Sequence, residues 1–205
     1  FMDVEEDNNI RRDTTFEKLS KLKPVFDRSE EGTMTAGNST PLTDGAAAVL
    51  LATEDWARQK NLPILAYLTF AKVAAVDFVR KEGLLMAPAY AVSDMLKQAN
   101  LTLQDFDFYE IHEAFAAQTI ATLKAWQSEE FCRDRLGRNE PMGPIDLSKL
   151  NVKGGSIAMG HPFAATGARI LGSLAKILSE NGSGRGLISV CTAGGMGVSA
   201  ILEAA

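Results

Sequence analysis

Two histidines and two cysteines are the only side chains of their kinds in the sequence, and one of each lies in a glycine-rich setting. His161 sits within residues 151–167, NVKGGSIAMGHPFAATG, and Cys191 opens residues 191–197, CTAGGMG. A neutral imidazole held beside a helix start can take a proton from a thiol, or hold a carbonyl oxygen as it becomes an oxyanion. That pairing suggests acyl-transfer chemistry. Each motif also has a plain structural reading: GHP as a capping or core histidine beside a tight turn, CTAGG as a small, inert, buried thiol. Both fall at loops of a strand-rich region, where α/β proteins place their chemistry, and this favours the functional reading of the pair. The second histidine, His112, follows the alternating run FDFYEI at residues 106–111. At a strand end it can donate to a developing oxyanion or hold a water, or it can simply satisfy a strand-end carbonyl.

The elements that must position these groups are legible from periodicity. From residue 163 to 179, Ala164, Ala168, Leu171, Leu174, Ala175 and Leu178 recur at three- and four-residue steps, which predicts a helix with Pro162 in its first turn. Residues 187–191 and 198–202 predict two short strands around the glycine turn at 193–197. Upstream, Thr14 and Glu17 form a capping-box pattern for a short helix ending before Pro24. The apolar run AAAVLLA at 46–52 reads as a buried strand after the Asp44–Gly45 turn. Thr53 caps a helix reaching Asn61, residues 64–76 follow as a long strand, and a second helix runs from Pro88 to Asn100. Residues 126–150, with mixed charge, prolines and glycines, read as a surface excursion, and Cys132 within them has no evident role. The whole predicts an α/β fold: a mixed five-stranded sheet, β-α-β-α-β-α-β-β, with helices on both faces.

Composition sets the outer limits. With 205 residues and 46% hydrophobic content the chain can build one large core. A net charge of -5 argues against nucleic acid as a partner, and no apolar run is long enough for a transmembrane segment. Two cysteines and two histidines without metal-ligand spacing predict neither a disulfide framework nor a metal site, and point to a reducing, cytoplasmic setting. The N-terminus, FMDVEEDNNIRRD, has no signal-peptide core and begins as if cut from something longer.

Five segments, taken in order, carry a resemblance. They are RRDTTFEKLSKLKPVF at 11–26, GTMTAGNSTPLTDGAAA at 32–48, HEAFAAQ at 112–118, NVKGGSIAMGHPFAATGAR at 151–169, and CTAGGMG at 191–197. Over almost its whole length the chain resembles the C-terminal half of a thiolase. HEAFAAQ has histidine where many thiolases carry asparagine, and with GHPFAATG it resembles the 3-ketoacyl-CoA thiolases (acetyl-CoA acyltransferases) of fatty-acid β-oxidation multienzyme complexes.

The resemblance implies thiolytic cleavage of 3-ketoacyl-CoA, or the reverse Claisen condensation, with coenzyme A as co-substrate and no bound cofactor. It implies that His161 activates the nucleophile and that Cys191, with a lowered thiol pKa beside the glycine turn, exchanges the α-proton. His112 and His161 would form one oxyanion site. The N–H of Ala193, where many thiolases have glycine, would serve a second. Arg11 falls where the family places an arginine near the adenine and diphosphate of coenzyme A, although Lys18 stands where a serine is common. Phe26, Ala36, Thr40, Ala114 and Phe115 match positions along the substrate and pantetheine channel. Residues 1–30 would be the end of a loop domain and a linker helix, and 31–205 the C-terminal domain. The nucleophilic cysteine belongs to an N-terminal domain with no counterpart here, so the chain is expected to be inactive alone. A homodimer or higher oligomer and a hydratase/dehydrogenase subunit are the implied partners. Two other readings stay open: a biosynthetic acetoacetyl-CoA thiolase, and a non-catalytic acyl-CoA-binding module, which the retained histidine and cysteine fit poorly.

Overall fold

A mixed sheet with the spatial order β1-β4-β3-β2 brings the candidate residues to one edge, and a computed structural model describes it over residues 7–205. The start of the acidic N-terminus lies outside the described residues. The strands are β1 (Ala66–Ala75), β2 (Phe108–Ile111), β3 (Arg185–Thr192) and β4 (Met196–Ala204). The α-helices are α1 (Phe16–Ser20), α2 (Glu54–Gln59), α3 (Ala87–Ala99), α4 (Ala116–Gln127), α5 (Glu129–Asp134), α6 (Ser156–Met159) and α7 (Thr166–Asn181). β2 runs parallel to β3, whereas β3 and β4 form an antiparallel hairpin and β1 pairs antiparallel with β4. The hairpin turn needs Gly194 and Gly195, whose φ angles are 82° and 75°.

Side chains alternate across the sheet and divide the core in two. Leu187 and Ile201 join Val92, Met95 and Leu96 of α3 on one face, while Ile188 and Leu202 join Ile170, Leu174 and Leu178 of α7 on the other. Helices on both faces therefore match the expected α/β layering. α7 lies close to β3 because Gly186 leaves room: a Cβ there would meet Leu174 Cδ1 at 2.5 Å. Gly182 ends α7 in the left-handed region, its N–H bonding to Leu178 O at 3.0 Å.

The described sheet has four strands, not five. Residues 46–52 pair with no strand, and Leu50 and Leu51 are 73% and 63% exposed. An apolar run becomes a strand only where another edge accepts its backbone hydrogen bonds, and none of the described strands does so. Residues 126–150 also differ from expectation. They carry α5, and they bury Trp126, Cys132, Leu136 and Met142 in the α3 face of the core. Trp126 Nε1 donates to Ala89 O at 3.3 Å, so the segment is a covering layer rather than a surface excursion. Cys132 is part of that layer. Two helix starts shift as well. Thr15, not Thr14, caps α1, its hydroxyl accepting from Lys18 N at 3.2 Å. α7 starts at Thr166, because Ala164 turns through φ 64° and leaves Pro162 ahead of the helix.

Candidate active site

Parallel pairing of β2 and β3 sends both strands to the same sheet edge, and this sets the site. Ile111 pairs with Ser189, the His112 N–H bonds to Ser189 O at 2.9 Å, and Cys191 follows two residues further along β3. His112 and Cys191 thereby reach one cavity of about 910 Å³. His161 enters from the loop between α6 and α7. Its N–H bonds to Pro41 O at 2.9 Å. Gly160 permits that path: its φ is 100°, and a Cβ there would meet Thr43 Cγ2 at 2.5 Å. The two imidazole rings stand with centroids 4.3 Å apart and planes at 42°.

Each histidine is held through Nδ1 by a hydroxyl, His112 by Ser156 Oγ at 2.8 Å and His161 by Thr166 Oγ1 at 2.6 Å. His112 is only 2% exposed. Burial, followed by the charges of His161 and Arg169, pushes its pKa down to about 4. Burial and then Arg169 also lower that of His161. Both rings are therefore neutral at neutral pH, as an acid/base or oxyanion role requires.

Cys191 departs from expectation. The thiol lines the cavity but is 6% exposed, and burial pushes its pKa up to about 11, against the small opposing effect of nearby backbone N–H groups. The glycine turn that was expected to lower it is outweighed by desolvation. Its Sγ donates to Gln118 Oε1 at 3.7 Å. Gln118 Nε2 in turn donates to Leu85 O at 3.1 Å and Thr122 Oγ1 at 2.8 Å, which fixes the amide so that its oxygen faces the thiol.

The walls are largely apolar, as a site for an acyl chain or thioester arm requires. Phe26, Ala36, Thr40, Ala114 and Phe115 all line the cavity, together with Ala193 in the β3–β4 turn. Phe26 and Phe115 meet edge to face at 5.7 Å. Thr40 N–H bonds to Ala114 O at 3.1 Å and Thr40 Oγ1 donates to Ser156 O at 2.7 Å, so the 36–40 loop is tied to the segment carrying His112. Arg11 is not brought in. It lies exposed outside the cavity wall, its carbonyl capping Thr14.

A polar layer behind the histidines was not singled out from the sequence. Asn151 completes the end of β2, its Oδ1 accepting from Ile111 N at 2.9 Å and its Nδ2 donating to Ile111 O at 3.0 Å. The same Nδ2 donates to Glu113 Oε1 at 2.6 Å, and Ile157 N donates to Glu113 Oε2 at 3.2 Å. Gly155 packs directly against that carboxylate. Arg169 Nη2 donates to Ser156 Oγ at 3.3 Å. Asn151, Ser156, Glu113 and Arg169 stand inside NVKGGS, HEAFAAQ and GAR, but no spacing rule says that Asn151 will bond Glu113, 38 positions away. Among the described residues no group of histidine, cysteine and carboxylate side chains could hold a metal, and no helix is long and apolar enough to cross a membrane.

Two neutral imidazoles and a protonated thiol therefore share one largely apolar cavity. In the family comparison, the model of the thiolase C-terminal domain matches residues 62–204, and that of the thiolase N-terminal domain matches residues 2–55. The chain belongs to the thiolase family. A 3-ketoacyl-CoA thiolase of Yersinia pestis is 50% identical over 198 residues, covering 97% of this chain and 45% of that protein. The crystal structure of the Bacillus anthracis acetyl-CoA acetyltransferase superimposes with a TM-score of 0.80 at 37% identity, over 98% of this chain and 45% of that one. Human mitochondrial 3-ketoacyl-CoA thiolase in complex with CoA does so with a TM-score of 0.76 at 35% identity, over 97% and 45%. The chain thus spans about half the length of the relatives it matches.

Proposed function

We propose that this chain supplies the acid/base half of a thiolase site that cleaves 3-ketoacyl-CoA to acetyl-CoA and a shortened acyl-CoA, or runs the reverse condensation. The observation that carries the reading is the 4.3 Å approach of the His112 and His161 rings in the cavity that Cys191 also lines. A thiolate attacks the 3-keto carbonyl, and the Cα–Cβ bond then breaks, leaving its electron pair on the acetyl-CoA enolate. The Cys191 thiol gives its proton to that carbon. Its raised pKa keeps the proton on sulfur until a stronger base forms. Coenzyme A then attacks the acyl thioester, its thiol proton restoring the Cys191 thiol, while His161, which took the proton of the attacking thiol in the first step, returns it to the departing sulfur. His112, His161 and the Ala193 N–H would hold the successive oxyanions.

The acyl-carrying thiol in this scheme comes from outside the chain, because Cys132 is buried in the core and Cys191 is committed to the α-proton. Residues 1–55 act as the end of the N-terminal domain with its loop and linker, and the C-terminal domain follows from about residue 62, a division that the reach of the two family models supports. Phe26, Ala36, Thr40, Ala114 and Phe115 line the path of the pantetheine arm, and Arg11, exposed outside the cavity, is left for the solvent end of the ligand. The CoA complex of the human relative supports coenzyme A as co-substrate. A homodimer or larger assembly, a hydratase/dehydrogenase partner subunit and a cytoplasmic setting complete the proposal.

A thiolysis assay with acetoacetyl-CoA and a long-chain 3-ketoacyl-CoA tests it. Turnover is expected only when a polypeptide bearing the nucleophilic thiol is present, and is lost in His161→Ala. Acyl-CoA binding indifferent to His161→Ala, without turnover in either case, would replace it with the binding-module reading. The fit to the acetyl-CoA acetyltransferase structure keeps a biosynthetic enzyme as second reading, which a preference for acetoacetyl-CoA would favour.

A further inference from the structure

The hydroxyl behind each imidazole has one proton to give, and where that proton goes decides which ring nitrogen carries hydrogen. Ser156 is fully buried. Its Oγ meets Arg169 Nη2 at 3.3 Å and His112 Nδ1 at 2.8 Å. A guanidinium only donates, so Ser156 accepts from Arg169; among the described residues its hydroxyl meets no acceptor other than His112 Nδ1, which is where its own proton goes. Thr166 is wired the other way. Its Oγ1 donates to Pro162 O at 3.2 Å, and therefore accepts from His161 Nδ1 at 2.6 Å.

We propose that Ser156, backed by Arg169, and Thr166, backed by the Pro162 carbonyl, are positioning residues that hold the two site histidines in opposite neutral tautomers. His112 then presents Nε2–H to the cavity, a hydrogen-bond donor ready for an oxyanion. His161 presents a bare Nε2, a base ready for a thiol proton. One accepts while the other donates, and the assignment is made before substrate arrives. The roles rest on the thiolase reading above, whereas the tautomers rest on the hydroxyl geometry alone.

Because the sequence contains just two histidines, the test is direct. The full chain is labelled with ¹⁵N-histidine, and long-range ¹H–¹⁵N correlations are recorded at neutral pH. The expected spectrum shows one ring protonated at Nε2 and the other at Nδ1, with His161→Ala removing the second. Ser156→Ala abolishes the fixed Nε2–H pattern of His112 and leaves that of His161. Thr166→Val scrambles His161, and Thr166→Ser restores it. Two rings in the same tautomer, or His112 protonated at Nδ1, would overturn the proposal even if no variant could be folded. In the thiolysis assay Ser156→Ala lowers kcat with KM preserved; an unchanged kcat would show that the Ser156 proton does not act through His112. Opposite tautomers without turnover even in the presence of the polypeptide that bears the nucleophilic thiol would refute the thiolase reading and leave this one standing.

Discussion

His112 and His161 stand ring against ring at 4.3 Å, one delivered by the end of β2 and the other by a glycine turn 49 residues later. Two charged imidazoles at that distance would repel, and burial already disfavours the charge on each. Double protonation of the pair is therefore disfavoured, and burial favours both rings neutral.

Acidification therefore destabilises the fold through His112. Its folded pKa of about 4 lies below the ordinary histidine value of 6.5, so as pH falls through that window the unfolded chain takes up a proton that the folded chain refuses. Stability from this group is complete above the upper value and declines towards the lower one. Glu110 acts in the opposite sense, since burial raises its pKa from 4.5 to about 7 and its contribution is lost as pH rises. Denaturant unfolding of the wild type and His112→Asn at pH 7 and pH 4.5 separates them. The variant is expected to lose less stability on acidification, and an identical loss would contradict the assignment.

Cys191 is expected to resist alkylation. With a thiol pKa of about 11 and the side chain buried, iodoacetamide reacts slowly at pH 8. Unfolding the chain should release both thiols together, since Cys132 is buried too. Mass spectrometry of the alkylated peptides reads both sites, and rapid labelling of native Cys191 would refute the burial argument.

Gly160→Ala is expected to disturb His161 more than its size suggests. The added Cβ meets the Thr43 side chain in a backbone conformation that disfavours L residues, a cost of about 1–3 kcal/mol. Thermal unfolding should show the loss, and the His161 ring resonances should shift while those at the start of α3 stay in place.

Leu174→Ala probes the α7 face of the core. The side chain is fully buried against Gly186 and Ile188, so truncation costs about 2–5 kcal/mol. Trp126→Ala in the segment expected to be surface costs about 3–5 kcal/mol, and a near-neutral result there would return that segment to the surface.

Local pattern alone was enough for much of this protein. The three-and-four spacing of Leu171, Leu174 and Leu178 marks α7, the β-rich run 187–191 marks β3, and glycines flank the two chemical motifs because their turns use positive φ. His112, His161 and Cys191 were therefore visible as residues at element ends. The tertiary structure decided the rest, and in each case the deciding force acts between residues distant in sequence. Whether 46–52 becomes a strand depends on an edge to pair with, and whether 126–150 is surface depends on what Trp126 covers. The thiol pKa of Cys191 rises because desolvation depends on every wall of the cavity, not on the turn beside it. The hydroxyl that orients His112 lies 44 residues away, brought in by a crossover whose path no local periodicity encodes.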